Sequence, residues 1–248
     1  MTENKVVIRI EKGGDKDLAG SLAAKLGAPI LSENGEDLTV LFDAAGVSLT
    51  GYGLSYQGDF AGMLHRVSDG RLSHEMLARA VKTDGPVKGL KAVDATAGMG
   101  EDAFLIAAYG YDVTLCEQNP VIATLLKDAI RRGRKNPQIR DIVSRMKVYP
   151  GDSIEYLKNN LDDLDVVYLD PMFPKRQKSG LINKKLQLIQ KLEPPCSSEN
   201  ELFEAALSSK AGRIIVKRPL KSPNLAGKSP NYMLKGKAIR YDCYVVMK

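Results

Sequence analysis

Cysteine and histidine are scarce in this 248-residue chain, which holds three of the first and two of the second. Cys116, Cys196 and Cys243 are far apart and form no Cys-x-x-Cys pair, and His65 and His74 do not complete a metal-ligand set, which argues against a structural zinc site. Cys116 and Cys243 stand in apolar, strand-like runs and read as small core residues. No apolar run approaches the roughly 18 residues that a membrane span needs. The first ten residues lack a cleavable signal pattern and alternate charged with β-branched residues, which reads as a strand, so a cytoplasmic protein is expected. Internal repeats and long low-complexity tracts are missing too.

What is present is an ordinary folding composition, 44% hydrophobic and 27% charged, in a chain long enough for one large α/β domain with a small appendage. The formal net charge is +6, compatible with a polyanionic partner. Its distribution says more than its total. Arg131, Arg132, Arg134 and Lys135 form a group that reads as a solvated face. Lys175, Arg176 and Lys178, and then Lys217, Arg218 and Lys221, follow the ends of expected strands. That is the edge where open α/β sheets bind ligands.

Residues 1–60 read as a small α/β unit, with strands at Val6–Ile10, Leu38–Phe42 and Val47–Tyr52 and a helix at Lys16–Leu26. A glycine-rich stretch, Gly51 to Gly62, marks the boundary with a second unit, residues 61–248. There Ser73 caps an expected helix to Val81, after which strands and helices alternate. Strands are expected at Lys91–Ala95, Asp112–Glu117, Arg145–Tyr149, Val166–Leu169 and Arg213–Lys217, and helices at Glu101–Tyr109, Pro120–Arg132, Ser153–Asn159, Lys184–Gln190 and Glu199–Ser208. Tyr232–Leu234 and Ala238–Val246 read as a closing hairpin. Alternation of this kind implies a mostly parallel, seven-stranded sheet with helices on both faces.

Asp94-Ala-Thr-Ala-Gly-Met-Gly-Glu-Asp102 sits at the first strand-to-helix turn of that unit, where Gly98 and Gly100 let the backbone pass close to a ligand. With Ala103 the spacing also fits a dinucleotide fingerprint. The acids around the glycines, Asp94, Glu101 and Asp102, argue for S-adenosylmethionine instead, because carboxylates repel a pyrophosphate and attract ammonium and sulfonium groups. Glu117 ends the next strand, about twenty residues on, where a ribose-binding acid is expected, and Gln118 would line the adenine pocket. Asp152 and Ser153 follow the third strand. They read equally as holders of the adenine edge and as the N-cap of the next helix.

The most specific run is Asp165-Val-Val-Tyr-Leu-Asp-Pro-Met-Phe-Pro174. An apolar strand delivers Asp170 into a turn stiffened by Pro171 and Pro174, with Phe173 between them. Oxygens of Asp170 and Pro171 can accept the hydrogens of a planar exocyclic amine, and Phe173 can stack on its ring, a contact worth roughly 1–3 kcal/mol. Lys175, Arg176, Lys178, Lys217 and Arg218 would then hold RNA phosphates beside the pocket.

Asp94-Ala-Thr-Ala-Gly-Met-Gly, Glu117-Gln-Asn-Pro-Val, Val167-Tyr-Leu-Asp-Pro-Met-Phe-Pro-Lys-Arg-Gln-Lys-Ser and Val216-Lys-Arg-Pro together resemble the bacterial small-subunit ribosomal RNA guanine-N2 methyltransferase J family, over roughly residues 60–248. The resemblance implies a Rossmann-like class I methyltransferase fold, S-adenosylmethionine as donor, and a guanine of 16S ribosomal RNA or of the small ribosomal subunit as acceptor; the composition points to no metal and no membrane. It implies donor contacts at Glu101, Asp102, Glu117, Gln118, Asp152, Ser153 and Asp170. Two alternatives stay open at this point: methylation of another planar amine, such as adenine N6 or a protein glutamine, and a non-catalytic RNA-binding assembly factor with this fold.

Overall fold

The computed structural model describes residues 6–33, 38–68, 70–87, 89–159, 163–171, 187–189, 191–192 and 198–246. Phe173, Lys175, Arg176, Lys178, Cys196 and most of the expected helix near 184–190 lie outside the described residues.

Two sheets organise the chain. The smaller contains β1 (Val6–Ile10), β2 (Ile30–Leu31), β3 (Leu38–Asp43), β4 (Gly46–Gly51) and β5 (Leu54–Tyr56), in the order β2-β1-β3-β4-β5. Its helix α1 (Lys16–Leu26) starts at Asp15, whose carboxylate accepts from the Leu18 N–H, and ends at the left-handed Gly27. The glycine-rich stretch expected to be a boundary carries β5, because Tyr52 and Gly53 form a tight turn that returns the chain onto β4.

After two short helical segments, α2 (Leu64–Val67) and α3 (Met76–Val81), comes the larger sheet. Glu75 rather than Ser73 precedes α3, because the Ser73 hydroxyl donates to the Gly70 carbonyl inside a separate 3₁₀ turn. The larger sheet contains β6 (Lys91–Asp94), β7 (Asp112–Cys116), β8 (Met146–Tyr149), β9 (Val166–Leu169), β10 (Arg213–Pro219), β11 (Tyr232–Lys235) and β12 (Ile239–Val245). Their order is β11-β12-β10-β9-β6-β7-β8, with β12 antiparallel to both of its neighbours and the ladder from β10 to β8 parallel. The connecting helices are α4 (Glu101–Tyr109), α5 (Pro120–Gly133), α6 (Arg140–Val143), α7 (Ser153–Asn159) and α8 (Glu199–Ser208). Among the described residues no helix is long and apolar enough to cross a membrane.

Period-two alternation divides the core into two layers. Val166, Tyr168 and Ile215 join the cluster under α3, α4 and α5, while Val167, Leu169, Ile214 and Val216 join the cluster under α7 and α8. Helix α5 works on two sides. Leu126, Ala129 and Ile130 pack with the larger sheet, whereas Val121, Ile122 and Leu125 share a core with Ile8, Val40 and Leu49 of the smaller one. Asp128 reinforces that seam: its carboxylate accepts from the Val47 N–H at 3.1 Å, from Arg131 at 2.6 Å and from Arg132 at 2.7 Å. Arg132 in turn donates to the Gly58 carbonyl. Two members of the expected solvated basic group are therefore held by a buried acid.

The order places β6 between β7 and β9, so β7, which follows β6 in the chain, lies on one side of it, and β10, which follows β9, lies on the other. A crevice opens at the C-terminal ends of β6 and β9.

Candidate active site

That crevice is a cavity of about 430 Å³ lined by the β6–α4 turn, the ends of β7 and β9, the start of α7 and one residue of the smaller sheet, Tyr56. Asp94, Gly98, Gly100, Glu101, Asp102, Glu117, Gln118, Asp152, Ser153, Asp170 and Pro171 all border it. The donor-side and acceptor-side residues expected from the sequence thus meet in one space.

The glycine turn is built on an acid. The Gly98 N–H donates to Glu117 Oε2 at 3.0 Å, and the Asn119 N–H donates to Oε1 at 2.8 Å. Asn119 then caps α5 through its own side chain. Gly98 has φ +50°, and a Cβ there would meet only the Thr96 carbonyl at 4.0 Å, which leaves a shallow cradle above the backbone. Gly100 is different. With φ +77°, it would drive a Cβ to 2.7 Å from Leu126, so α4 and α5 pack closely only because the side chain is missing.

Asp94 is 1% exposed. Burial, reinforced by Asp102 and Asp170, pushes its carboxyl up to about 7, while the Thr96 N–H and Lys217 oppose the rise. Thr96 links the two halves. Its N–H donates to Asp94 Oδ1 at 3.1 Å, and its hydroxyl accepts from the Asp170 N–H at 2.7 Å. Burial likewise raises the Asp170 carboxyl, although Lys217 works against the rise. Asp152 caps α7, its Oδ1 accepting from the Glu155 N–H at 2.8 Å, and also faces the cavity, so both readings of that residue fit one position.

Lys217 and Arg218 differ from the expected phosphate grip. Strand β10 runs on to Pro219, so alternation sends the two side chains to opposite faces. Lys217 enters the cavity and bridges Asp102 at 2.7 Å and Asp170 at 2.9 Å. Arg218 is 4% exposed and donates to the Pro223 carbonyl at 2.8 Å, with Glu199 at 3.4 Å, which leaves it no face for a phosphate. Sequence reasoning missed Thr96, Tyr56 and Tyr168, whose hydroxyl donates to Asp102 at 2.6 Å. A hydroxyl inside the glycine turn was a visible signal for the first. Nothing local announced the other two.

The lining suits a cationic nucleoside. Among the described residues six carboxylates and one lysine border the cavity. The loop amides that a dinucleotide fold offers to pyrophosphate are occupied here: Gly98 N–H by Glu117, and Gly100 N–H by the Ala97 carbonyl at 2.7 Å. Among the described residues no group of three or more histidine, cysteine or acidic side chains could hold a metal ion.

Comparison with known proteins agrees with this chemistry. A family model described as SAM-dependent methyltransferase matches residues 55–246. A protein of Pseudomonas aeruginosa (strain LESB58), named ribosomal RNA small subunit methyltransferase J, is 36% identical over 93% of this chain and 91% of its own length. Proteins of the same name from Thioalkalivibrio sulfidiphilus and Dechloromonas aromatica are 36% and 40% identical, covering 99% and 73% of this chain and 99% and 74% of theirs. The likeness extends into the first 60 residues, beyond the stretch expected from the motifs. The crystal structure of a SAM-dependent methyltransferase from Neisseria gonorrhoeae superposes with a TM-score of 0.76 at 29% identity, covering 96% of this chain and 95% of that one.

Proposed function

This chain belongs to the ribosomal RNA small subunit methyltransferase J family of SAM-dependent methyltransferases, and on that premise we propose that it methylates the exocyclic N2 of one guanine in 16S ribosomal RNA. The observation that carries the reading is the meeting of the Glu117–Gly98 cradle and the Asp170-Pro171 turn in one cavity.

The residues fit S-adenosylmethionine, which when bound supplies an electrophilic methyl group on a sulfonium centre. Glu117, with Gln118, would hold its ribose, and Asp152 and Ser153 would hold its adenine. Asp94, Glu101 and Asp102 supply negative charge toward the ammonium and sulfonium. Gly98 would let the ligand lie against backbone, while Gly100 serves the close packing of α4 on α5.

A guanine N2 lone pair is delocalised into its ring, which makes it a weak nucleophile. Asp170 and the Pro171 carbonyl accept its two hydrogens and favour a pyramidal nitrogen. Proline has no N–H, so the turn offers acceptors at that point. Holding nitrogen and methyl group in line supplies much of the acceleration. The proton leaves after transfer, when the methylated nitrogen has become acidic, so no strong base is needed beforehand. Phe173 as a stacking partner and Lys175, Arg176 and Lys178 as phosphate contacts complete the proposal from the sequence. The neutralised phosphates would make RNA affinity fall with salt.

The test supplies labelled donor to small ribosomal subunits that lack the modification and maps the label by mass spectrometry. Label on N2 of a single 16S guanine supports the proposal. Label on adenine, on protein or nowhere overturns it.

A further inference from the structure

Lys217 joins the two halves of the cavity. Its Nζ lies 2.7 Å from Asp102 Oδ2, on the donor side, and 2.9 Å from Asp170 Oδ2, on the acceptor side. The Tyr168 hydroxyl donates to the same Asp102 oxygen at 2.6 Å and so helps to fix it. We infer that Lys217 is a positioning residue for methyl transfer: it keeps the Asp170 carboxylate ionised and aimed at the acceptor amine, and it grips neither an RNA phosphate nor the donor's carboxylate. The inference rests on the reading above, in which Asp170 accepts from a planar amine.

The surroundings show why a cation is needed there. Three carboxylates converge: Asp94 from β6, Asp102 from α4 and Asp170 after β9. Burial first, and then mutual repulsion, raises Asp94 and Asp170, and Lys217 opposes both shifts. Burial also works against the charge on Lys217, yet Asp102 and Asp170 outweigh it and raise its pKa. Among the described residues the cluster is also faced by Thr96, hydrogen-bonded to Asp94 and Asp170, and by the phenols of Tyr168 and of Tyr241 on β12, both raised by burial and the nearby acids. Among the described residues Arg66 of α2 also acts electrostatically on Asp102 and Tyr241, but two 2.7 Å hydrogen bonds commit it to Glu75. It cannot stand in for Lys217.

A protonated Asp170 would present an O–H to an amine hydrogen and would lose one of its two acceptor positions. A phosphate drawn to Lys217 would have to enter beside three carboxylates, at a side chain only 24% exposed. Removing Lys217 makes the cavity more negative, which should favour a cationic donor. A lysine that gripped the donor's carboxylate would have the opposite effect on donor affinity.

The experiment compares the full chain with Lys217→Met and Lys217→Arg, with Lys217→Gln in reserve should the methionine variant fail to fold. In Lys217→Met the acidic limb of the kcat–pH profile should move up by roughly 1–3 pH units, the usual effect of losing an adjacent opposite charge. Turnover at the low-pH end should fall at least tenfold and recover as pH rises, while Lys217→Arg restores the original profile. Donor affinity by calorimetry should hold or tighten, and the salt dependence of RNA binding should not change. Carbon NMR of labelled aspartate reads the Asp170 titration without turnover, and it should move up in Lys217→Met alone. In an Asp170→Asn background the aspartate carbon signal whose titration Lys217→Met moves should be missing, which assigns that titration to Asp170 and not to Asp94. An unmoved Asp170 titration, weakened donor binding or a flatter salt slope would each overturn the inference. Guanine mapping with the unaltered protein tests the underlying function separately, because the NMR titration does not depend on which base is methylated.

Discussion

The backbone N–H of Asp170 donates to the Thr96 hydroxyl at 2.7 Å, and the Thr96 N–H donates to Asp94 at 3.1 Å. One threonine therefore sets the spacing between the acid that ends β6 and the acid that follows β9. The two strands are already paired, with Asp94 opposite Tyr168, and Thr96 adds a side-chain tie just beyond the end of that ladder.

Thr96→Val nearly preserves volume and removes the oxygen. The Asp170 N–H then loses its acceptor, a loss of about 1–3 kcal/mol. Denaturant unfolding should show a decrease of that size. Turnover should fall at least about tenfold, with donor affinity much less affected, since the Thr96 N–H stays on Asp94. Unchanged turnover would mean that this spacing does not matter.

Asp94 titrates at about 7 in the folded chain against an ordinary 3.8. As pH rises through 7 the cavity gains a negative charge, so calorimetry should show donor affinity increasing between pH 6 and 8. Linkage gives the opposite sign for the ligand-free fold. A folded-state pKa above the unfolded one means that stability is fully present below about pH 4, declines as pH rises toward about 7 and then levels off. Asp94→Asn should flatten both curves, and a wild-type donor affinity independent of pH would contradict the assignment.

Glu117→Ala removes the acceptor of two backbone amides, those of Gly98 and Asn119. We expect donor affinity to drop more than about tenfold, since the charged acceptor proposed for the ribose is lost, a hydrogen bond to a charged group is worth about 1.5–3 kcal/mol, and about 1.4 suffices for that. RNA affinity measured without donor should stay the same. Equal donor binding in the variant would remove Glu117 from the cradle.

Asp170→Ala should abolish turnover while leaving RNA affinity largely intact, because the proposed phosphate contacts lie elsewhere. Gel-shift and methylation assays on the same preparation check this. Near-normal methylation would end the idea of an acceptor clamp at Asp170.

Asp128→Ala unpairs Arg131 and Arg132 and takes the acceptor from the Val47 N–H. Loss of a buried acid with these partners should destabilise the fold by about 3 kcal/mol. The smaller sheet should loosen first, and hydrogen exchange in β4 should report it. Uniform protection across both sheets would argue against a seam at α5.

Much of this architecture is legible from short-range pattern. Val166-Val-Tyr-Leu169 alternates between two cores, and Asn119-Pro120 announces the start of α5. The glycine turn and Glu117 stand at the expected interval and do meet. What pattern misses is whatever depends on distant partners. Lys217 and Arg218 look like one basic patch as neighbours in the chain, yet a strand two residues longer than expected sends them to opposite faces. Strand β5 hides in a glycine-rich stretch because its pairing with β4, and not its own composition, makes it a strand. Tyr56 reaches the cavity only through that pairing.

Tyr56 gives the first sixty residues a significance for protein engineers. A truncation beginning at Leu64 would keep every carboxylate of the cavity and all seven strands of the larger sheet, yet it would lose one wall and uncover Val121, Ile122 and Leu125 along α5. Such a fragment would have a greasy flank and a breached chamber. The leading segment is masonry shared with the catalytic unit, and it cannot be trimmed as a detachable tag.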